Sequence, residues 1–374
     1  MPCPERGKAF LLSGKMDNKH GKYIALAIKE ALLGEGRTRT NPLVGCVLVK
    51  GGRVISRGFH AAFGKDHAEA MALKKAGKRA RGATAYVTLE PCVWFSGKKT
   101  RPCAERLAEA GIKKVVIGMR DPNPKVSGKG IEFLRKRGVK VAESGQESAC
   151  REINAPYIKC VSAGRPLVTI KAAVTLDGNI AASGGDSKWI SCLESRRRVH
   201  GLRALNDAVM VGVNTVLADD PELSVRLVKG RNPVRIVVDP LLKTPLSAKI
   251  AGEGTIIAVS RKAGESRKRA FRNKGVILLT VKMKGGLLDL KDLMLKLPAY
   301  GISSVLAEGG SRILTGLMKE KLADKAVIFI APKFCGRGLG LTGDIGIRKM
   351  KDSIKLKDVK YSISGDDILV EGRF

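Results

Sequence analysis

Seven short apolar runs in the second half of the chain restrict its fold most. They are "LVTIKAAVT" (167–175), "DAVMVGV" (207–213), "VRIVVD" (234–239), "TIIAVS" (255–260), "GVILLTV" (275–281), "SSVLAE" (303–308) and "KAVIFIAP" (325–332). Their length and β-branched content suit strands covered on both faces, as in a largely parallel sheet. "SCLESRRRVHGLRALN" (191–206) reads as a helix between the first two.

The first half alternates in the same way. "HGKYIALAIKEALLGEG" (20–36) places Tyr23, Ile24, Ala27, Ile28, Ala31 and Leu32 at helical period. "LVGCVLVKGGRVISRGF" (43–59) reads as a hairpin turning at Gly51-Gly52. A helix follows at 66–80 with Asp66 as its N-cap, then a strand at 83–90. A helix at 102–111 starts on Pro102, a strand runs over 113–119, and a further helix and strand end near residue 143. Residues 144–166 are polar, lack a strong strand and end in Gly-Arg-Pro, which places a boundary there. The expected organisation is an extension at 1–19, a domain at 20–146, a linker at 147–166 and a second domain at 167–374. The halves are not repeats of each other, so two different α/β domains are expected.

A chain of 374 residues can bury two cores, and 44% hydrophobic with 28% charged residues excludes a disordered protein. No apolar run approaches the roughly 20 residues of a membrane span. The apolar piece "AFLL" (9–12) is too short for a signal-peptide core, so a cytoplasmic protein is expected. The net charge of +34 suits an anionic partner, but the basic residues are scattered and aromatics are only 4%. Few stacking platforms for single-stranded nucleic acid result, so no nucleic acid partner is expected.

Of the eight cysteines, six stand isolated, as small apolar residues would, and no disulfide framework is expected. Cys92 and Cys103 differ. They bracket "PCVWFSGKKTRPC" (91–103), downstream of His67-Ala68-Glu69 at the start of a helix. A histidine and two thiolates are three zinc ligands that leave a fourth tetrahedral position for water. Zinc brings the pKa of that water to about 7, and Glu69, on the same turn as His67, can shuttle its proton. A His-x-Glu followed by Pro-Cys is the layout of zinc deaminases acting on nucleobase-type rings. Taken singly, His-Ala-Glu fits any helix and the cysteine loop fits a plain turn; their combination in this order is what carries the reading.

The runs "TNPLVGCVLV", "GFHAAFGKDHAEAMAL", "AYVTLEPC", "KTRPCAERLAEAGIKKVVIG" and "DPNPKVSGKGIEFLRKRGVKV" closely resemble the bifunctional riboflavin-biosynthesis deaminase–reductase family. The resemblance implies a cytidine-deaminase-like three-layer first domain with zinc on His67, Cys92 and Cys103, Glu69 as proton shuttle, and substrate contacts at Asn41 and His60. The implied substrate is a diaminopyrimidine carrying a ribosylamino 5′-phosphate, which loses its 2-amino group as ammonia. One departure stands out. The family loop reads Cys-Ser-His-x-Gly-x-Thr-Pro-Pro-Cys, whereas here the loop is two residues longer and Val93-Trp94 replace Ser-His. Lys98 and Lys99 are candidates to supply the phosphate attraction instead.

The second domain lacks a Gly-x-Gly-x-x-Gly after its first strand. Glu308-Gly309-Gly310-Ser311 stand between a strand and a helix, where a phosphate can approach backbone N–H groups. Together with Lys171, "TLDGNIA" (175–181), "DSKWI" (186–190) and "GVNTVLADDPELSVR" (212–226), this resembles the reductase half of the same family. The resemblance implies a dihydrofolate-reductase-like fold and NADPH. It carries substrate contacts to Ser187, Arg203, Leu223, Arg226 and Glu308, and Lys171 to the sugar. Cofactor contacts fall on Ala173, Trp189, Thr215, Asp219 and the turn Gly310, Ser311, Arg312, Ile313, Leu314, Thr315 and Gly316. Arg203 and Arg226 suit a phosphate through forked hydrogen bonds. The basic stretch "SRKAGESRKR" (260–269) could read a 2′-phosphate on the cofactor. The implied chemistry is hydride transfer that turns the ribosylamine into a ribitylamine, in a homo-oligomer (dimer or tetramer). The alternatives are a chain with reductase activity alone, its zinc domain structural or altered in substrate, and a nucleic-acid deaminase.

Overall fold

A computed structural model describes residues 19–98 and 100–374. Cys3, "AFLL" and Lys99 lie outside the described residues, as does the expected extension apart from Lys19, which opens the first helix. The chain divides into two compact units that part between Gly164 and Arg165.

In the first unit, the elements run α1 (Lys19–Leu32), β1 (Gly45–Lys50), β2 (Arg53–Phe59), α2 (Ala68–Ala76), β3 (Thr84–Val87) and α3 (Cys103–Glu109). β4 (Lys114–Ile117), α4 (Lys129–Lys136), β5 (Lys140–Glu143), α5 (Glu147–Ile153) and α6 (Ala155–Ala163) complete it. The sheet has the order β2-β1-β3-β4-β5 among the described residues. Gly51 and Gly52 both take positive φ, as a two-residue hairpin turn demands, and β1 and β2 pair antiparallel across it.

Alternation along the strands makes the layers. Cys46, Leu48, Ala85, Val87, Val115 and Ile117 point to one face and pack under α2, α3 and α4. Val47, Val49, Tyr86 and Val116 point to the other, under α1 and the α5–α6 pair. The segment read as a linker thus folds instead as two helices. Ala149, Cys150, Ile153, Tyr157 and Ile158 form an apolar stripe, which the many polar residues between them conceal in a linear reading.

The second unit contains β6 (Leu167–Thr175), β7 (Asn179–Ala182), α7 (Leu193–Leu205), β8 (Ala208–Gly212), α8 (Val213–Asp219), β9 (Val234–Val238), β10 (Thr255–Val259), α9 (Glu265–Asn273) and β11 (Ile277–Thr280). After the small pair β12 (Met283–Lys284) and β13 (Leu287–Leu288) come α10 (Leu290–Lys296), β14 (Ser304–Glu308), α11 (Ser311–Lys319), β15 (Lys325–Ala331), β16 (Gly338–Gly340), β17 (Lys357–Ser364) and β18 (Asp367–Arg373). All seven anticipated runs become strands of one sheet, ordered β11-β10-β9-β8-β14-β6-β15-β18-β17. It is parallel from β11 to β15 and closes with an antiparallel edge. That edge, β17–β18, went unread because its strands mix lysine, serine and aspartate with apolar residues. One face of the sheet packs on α10 and α11, the other on α8 and α9.

Candidate active sites

The first site gathers where β3 ends. His67 is extended (φ −70°, ψ 159°) and is itself the N-cap of α2, the position assigned to Asp66 from sequence. Asp66 lies outside the helix, its carbonyl meeting His60 Nδ1 at 3.1 Å. Gly58 lets α2 approach: a Cβ there would lie 2.3 Å from the Ala68 carbonyl oxygen. Cys103 opens α3 after Pro102. Sγ of Cys92 and of Cys103 lie 3.6 and 3.3 Å from Nδ1 of His67, and the three donor atoms fall within 4.8 Å of one another. One imidazole nitrogen and two sulfurs at this spacing fit zinc. The Cys103 backbone N–H donates to Cys92 Sγ (3.4 Å), and the Ala104 N–H donates to the Cys92 carbonyl (3.2 Å). Hydrogen bonding from Cys103, then from His67, draws the Cys92 thiol well below the ordinary thiol range. Glu69 is 3% exposed in the first turn of α2. Burial, then the charge of Cys92, raises its pKa, as suits a carboxyl that takes and returns a proton.

Asn41 and His60 lie together beside this cluster. Asn41 Nδ2 is 3.2 Å from His60 Nε2, and the His60 ring stands edge-on to His67 with centroids 5.5 Å apart. Burial lowers the His60 pKa, keeping the ring neutral. In the cysteine loop, Val93 packs against the core while Trp94 is exposed. The ammonium groups of Lys98 and Lys125 lie 5.5 and 5.8 Å from the Phe95 ring. Glu90, two residues before Cys92, escaped the sequence reading. Its buried carboxylate accepts backbone N–H groups of Asp121, Gly128, Gly130 and Ile131 at 2.9–3.3 Å, which ties the segment after β3 to the loop before α4 and to the first turn of that helix.

The second site lies at the carboxyl ends of the central parallel strands, where open α/β sheets bind ligands. Lys171 on β6 and Glu308 on β14 are register partners, with Nζ and Oε2 4.0 Å apart. Arg203 from α7 grips both carboxylate oxygens of Glu308, Nε to Oε1 at 2.6 Å and NH2 to Oε2 at 2.9 Å, and donates to the Ser224 carbonyl at 3.1 Å. Its fork, expected to face a phosphate, is therefore engaged within the protein. Burial lowers the Lys171 pKa against the pull of Glu308, while Arg203, ahead of Lys171, holds Glu308 ionised despite burial. Arg226 is exposed and paired with Glu222. Leu223 takes a positive φ of 52° and packs its side chain in the core, so a substrate could meet its backbone but not its side chain.

Thr215 meets the glycine turn: a Cβ on Gly310 (φ 78°) would lie 3.2 Å from its hydroxyl. Ile313 and Leu314 are core residues, and the Thr315 hydroxyl donates to the Ser311 carbonyl at 2.6 Å. Within the run 310–316, Ile313 and Leu314 are thus closed to a cofactor, while Gly310, Ser311, Thr315 and Gly316 are partly buried and Arg312 is exposed. Ala173 and Ser187 are partly buried, Lys188 reaches Asp219 at 4.0 Å, and the exposed Trp189 carries the Arg196 guanidinium 4.2 Å over its ring. In the basic stretch, the exposed Arg267 donates to the Leu242 and Thr244 carbonyls through Nε and NH2, and the buried Lys268 pairs with Glu265. His200, three residues before Arg203, was also missed; that spacing on one helix face was the available signal.

Residues 166–370 match the family model for the RibD C-terminal domain, and residues 17–119 match that for the cytidine and deoxycytidylate deaminase zinc-binding region. The riboflavin biosynthesis protein RibD of Aquifex aeolicus is 44% identical over 351 residues, covering 93% of this chain and 96% of that protein. RibD of Escherichia coli is 36% identical, with 91% and 95% covered. Among solved structures, the diaminohydroxyphosphoribosylaminopyrimidine deaminase/5-amino-6-(5-phosphoribosylamino)uracil reductase of Thermotoga maritima superposes with a TM-score of 0.82 at 37% identity, covering 95% of this chain and 98% of that one. Acinetobacter baumannii RibD gives a TM-score of 0.86 at 34% identity, covering 95% and 99%. With a cytidine-deaminase-like first domain and a RibD reductase domain after it, the chain belongs to the RibD family of bifunctional, zinc- and NADPH-dependent riboflavin-biosynthesis deaminase–reductases.

Proposed function

We propose that the chain catalyses two consecutive steps of riboflavin biosynthesis. The first is hydrolysis of the 2-amino group of 2,5-diamino-6-(5-phosphoribosylamino)pyrimidin-4-one, and the second is NADPH reduction of the ribosyl group to ribityl. The observation that carries this reading is the convergence of His67, Cys92 and Cys103 beside the buried Glu69, in a chain that continues into a RibD reductase domain.

In the first domain, His67, Cys92 and Cys103 hold zinc, which when bound supplies Lewis-acid activation of water. Glu69 carries a proton from that water to the leaving ammonia. Asn41 and His60 orient the pyrimidine, and Lys98 attracts the 5′-phosphate. In the second domain, Lys171 and Glu308 bind the sugar hydroxyls, with Lys171 favouring ring opening. Ser187, Arg226 and the backbone at Leu223 complete the substrate site, and Arg203 acts by fixing Glu308. NADPH, the hydride source, rests on Ala173, Trp189, Thr215, Asp219 and the start of α11. The protein is cytoplasmic, binds no nucleic acid and works as a homo-oligomer. No helix among the described residues is long and apolar enough to cross a membrane.

The test incubates purified protein with the diaminopyrimidine, with and without NADPH, and follows ammonia and NADPH absorbance separately. Ammonia without NADPH, then NADPH oxidation that depends on the deaminated product, is expected. Zinc by metal analysis without ammonia release would favour the reductase-only alternative, which the Val93-Trp94 replacement keeps in view. RNA retained on purification, with salt-sensitive binding, would favour a nucleic-acid deaminase.

A further inference from the structure

Helix α7 holds the segment after α8 at two points one turn apart. Arg203 donates to the Ser224 carbonyl at 3.1 Å, and the Arg226 backbone N–H donates to Nδ1 of His200 at 2.9 Å. The segment bears Leu223 and Arg226, both assigned above to the substrate, and it needs holding, since Asp220 and Leu223 both take positive φ. Arg203 is itself clamped to Glu308 beside Lys171. The helix therefore splints the segment to the groups at the strand ends.

We propose that His200 is a positioning residue of the reductase reaction, fixing residues 223–226 as the neutral tautomer protonated at Nε2. The proposal rests on the reductase reading above. A backbone N–H can donate only to an unprotonated Nδ1, so the ring proton is assigned to Nε2 by the geometry. An imidazolium would set a ring N–H against the Arg226 N–H and release the segment. The surroundings oppose that charge: His200 is 7% exposed, and Arg203, Arg226 and Lys171 are repulsive to it, while Glu308 is attractive. Burial, then Arg203 and Arg226, lowers its pKa to about 4.

Wild type, His200→Leu and His200→Gln are compared in NADPH-dependent reduction of the deaminated, phosphorylated pyrimidine. Losing the bond in His200→Leu should raise KM for the pyrimidine about tenfold, with kcat and KM for NADPH within about threefold. Glutamine offers an acceptor at similar reach and should keep the pyrimidine KM within about threefold of wild type. A pyrimidine KM unchanged in His200→Leu, or a glutamine variant no better than leucine, overturns the proposal. A second readout needs neither variant folding nor turnover. Long-range 1H–15N spectra of the wild-type protein should show His200, one of four histidines, protonated at Nε2 alone from about pH 5.5 to 8. A proton on Nδ1 in that range overturns the proposal whatever the kinetics. If wild type oxidises no NADPH while this tautomer is seen, the reductase reading fails and the hold on residues 223–226 stands.

Discussion

Removing Glu308 should damage the second domain more than removing Arg203, although each breaks the same ion pair. The side chains of Arg203 and Glu308 are 13% and 8% exposed and share two hydrogen bonds. Breaking such a pair from one side costs about 3–5 kcal/mol, because the abandoned charge stays buried. The two sides are unequal here. In Arg203→Met, Glu308 keeps Lys171 at 4.0 Å, and a cost of about 2 kcal/mol is expected. In Glu308→Gln, Arg203 and Lys171 are left as neighbouring buried cations, and about 4 kcal/mol is expected. Only Lys171 can relieve this by losing its proton, since burial and Arg203 already push it down and Glu308 alone holds it up. The double variant should cost less than the sum of the singles by about 1.5 kcal/mol or more. Hydrogen-exchange mass spectrometry on peptides from β6 and β14 measures this unit's opening free energy without assuming that the whole chain unfolds together. Equal costs for the singles, or additivity within about 0.5 kcal/mol, would refute the account of Glu308 as the shared counter-charge.

Glu69→Gln should keep its zinc and lose ammonia release by about 10²–10⁴-fold, while Cys103→Ala should lose zinc and ammonia release together; both should still oxidise NADPH on the deaminated substrate. Lys98→Ala should raise KM in deamination several-fold, about 3–10, and weaken its salt dependence; an unchanged KM removes Lys98 from the phosphate site. His200 gives a stability signature with pH. Its folded pKa, about 4, lies below the ordinary 6.5, so its contribution is complete above pH 6.5 and is lost as pH falls towards 4. A shift of this size corresponds to at most about 3.4 kcal/mol, and about 1–2 after solvent screening; His200→Gln should flatten the exchange-derived stability of β6 over that window.

The sheets were legible because burial writes itself into sequence: strands covered on both faces are largely apolar, as β10, with all five residues buried, shows, while β11 at the sheet edge leaves Ile277 and Thr280 exposed. Where only one face is covered the signal thins, as in β17, whose Tyr361 and Ile363 lie on an exposed face among lysine and serine. The metal-type cluster was legible because few residue types can serve as ligands. His200 and Glu90 were not, because each acts through backbone N–H groups distant in sequence, at Arg226 and at 121–131. No residue type marks the far end of such a bond. Arg203 was visible as a charge but not as a clamp: the choice between phosphate and Glu308 depends on β14 lying beside β6, a fact of topology.

The same distinction explains how the cysteine loop can be two residues longer than its relatives' pattern while its ends stay in register. Cys92 leaves a strand end whose preceding Glu90 is tied by four backbone N–H groups, and Cys103 begins a helix whose first N–H groups bind back to the Cys92 sulfur and carbonyl. None of these bonds passes through residues 93–98. Added length is absorbed between two ends that are tied to each other and, through Glu90, to the loop and helix beyond, with Val93 packed against the core and Trp94 left in solvent. The exchange of Ser-His for Val-Trp should therefore act on substrate affinity and leave the ligand geometry alone. Restoring a histidine in Trp94→His should lower KM for the diaminopyrimidine at unchanged zinc content. A change in zinc content instead would mean that the loop, and not its anchored ends, sets the site.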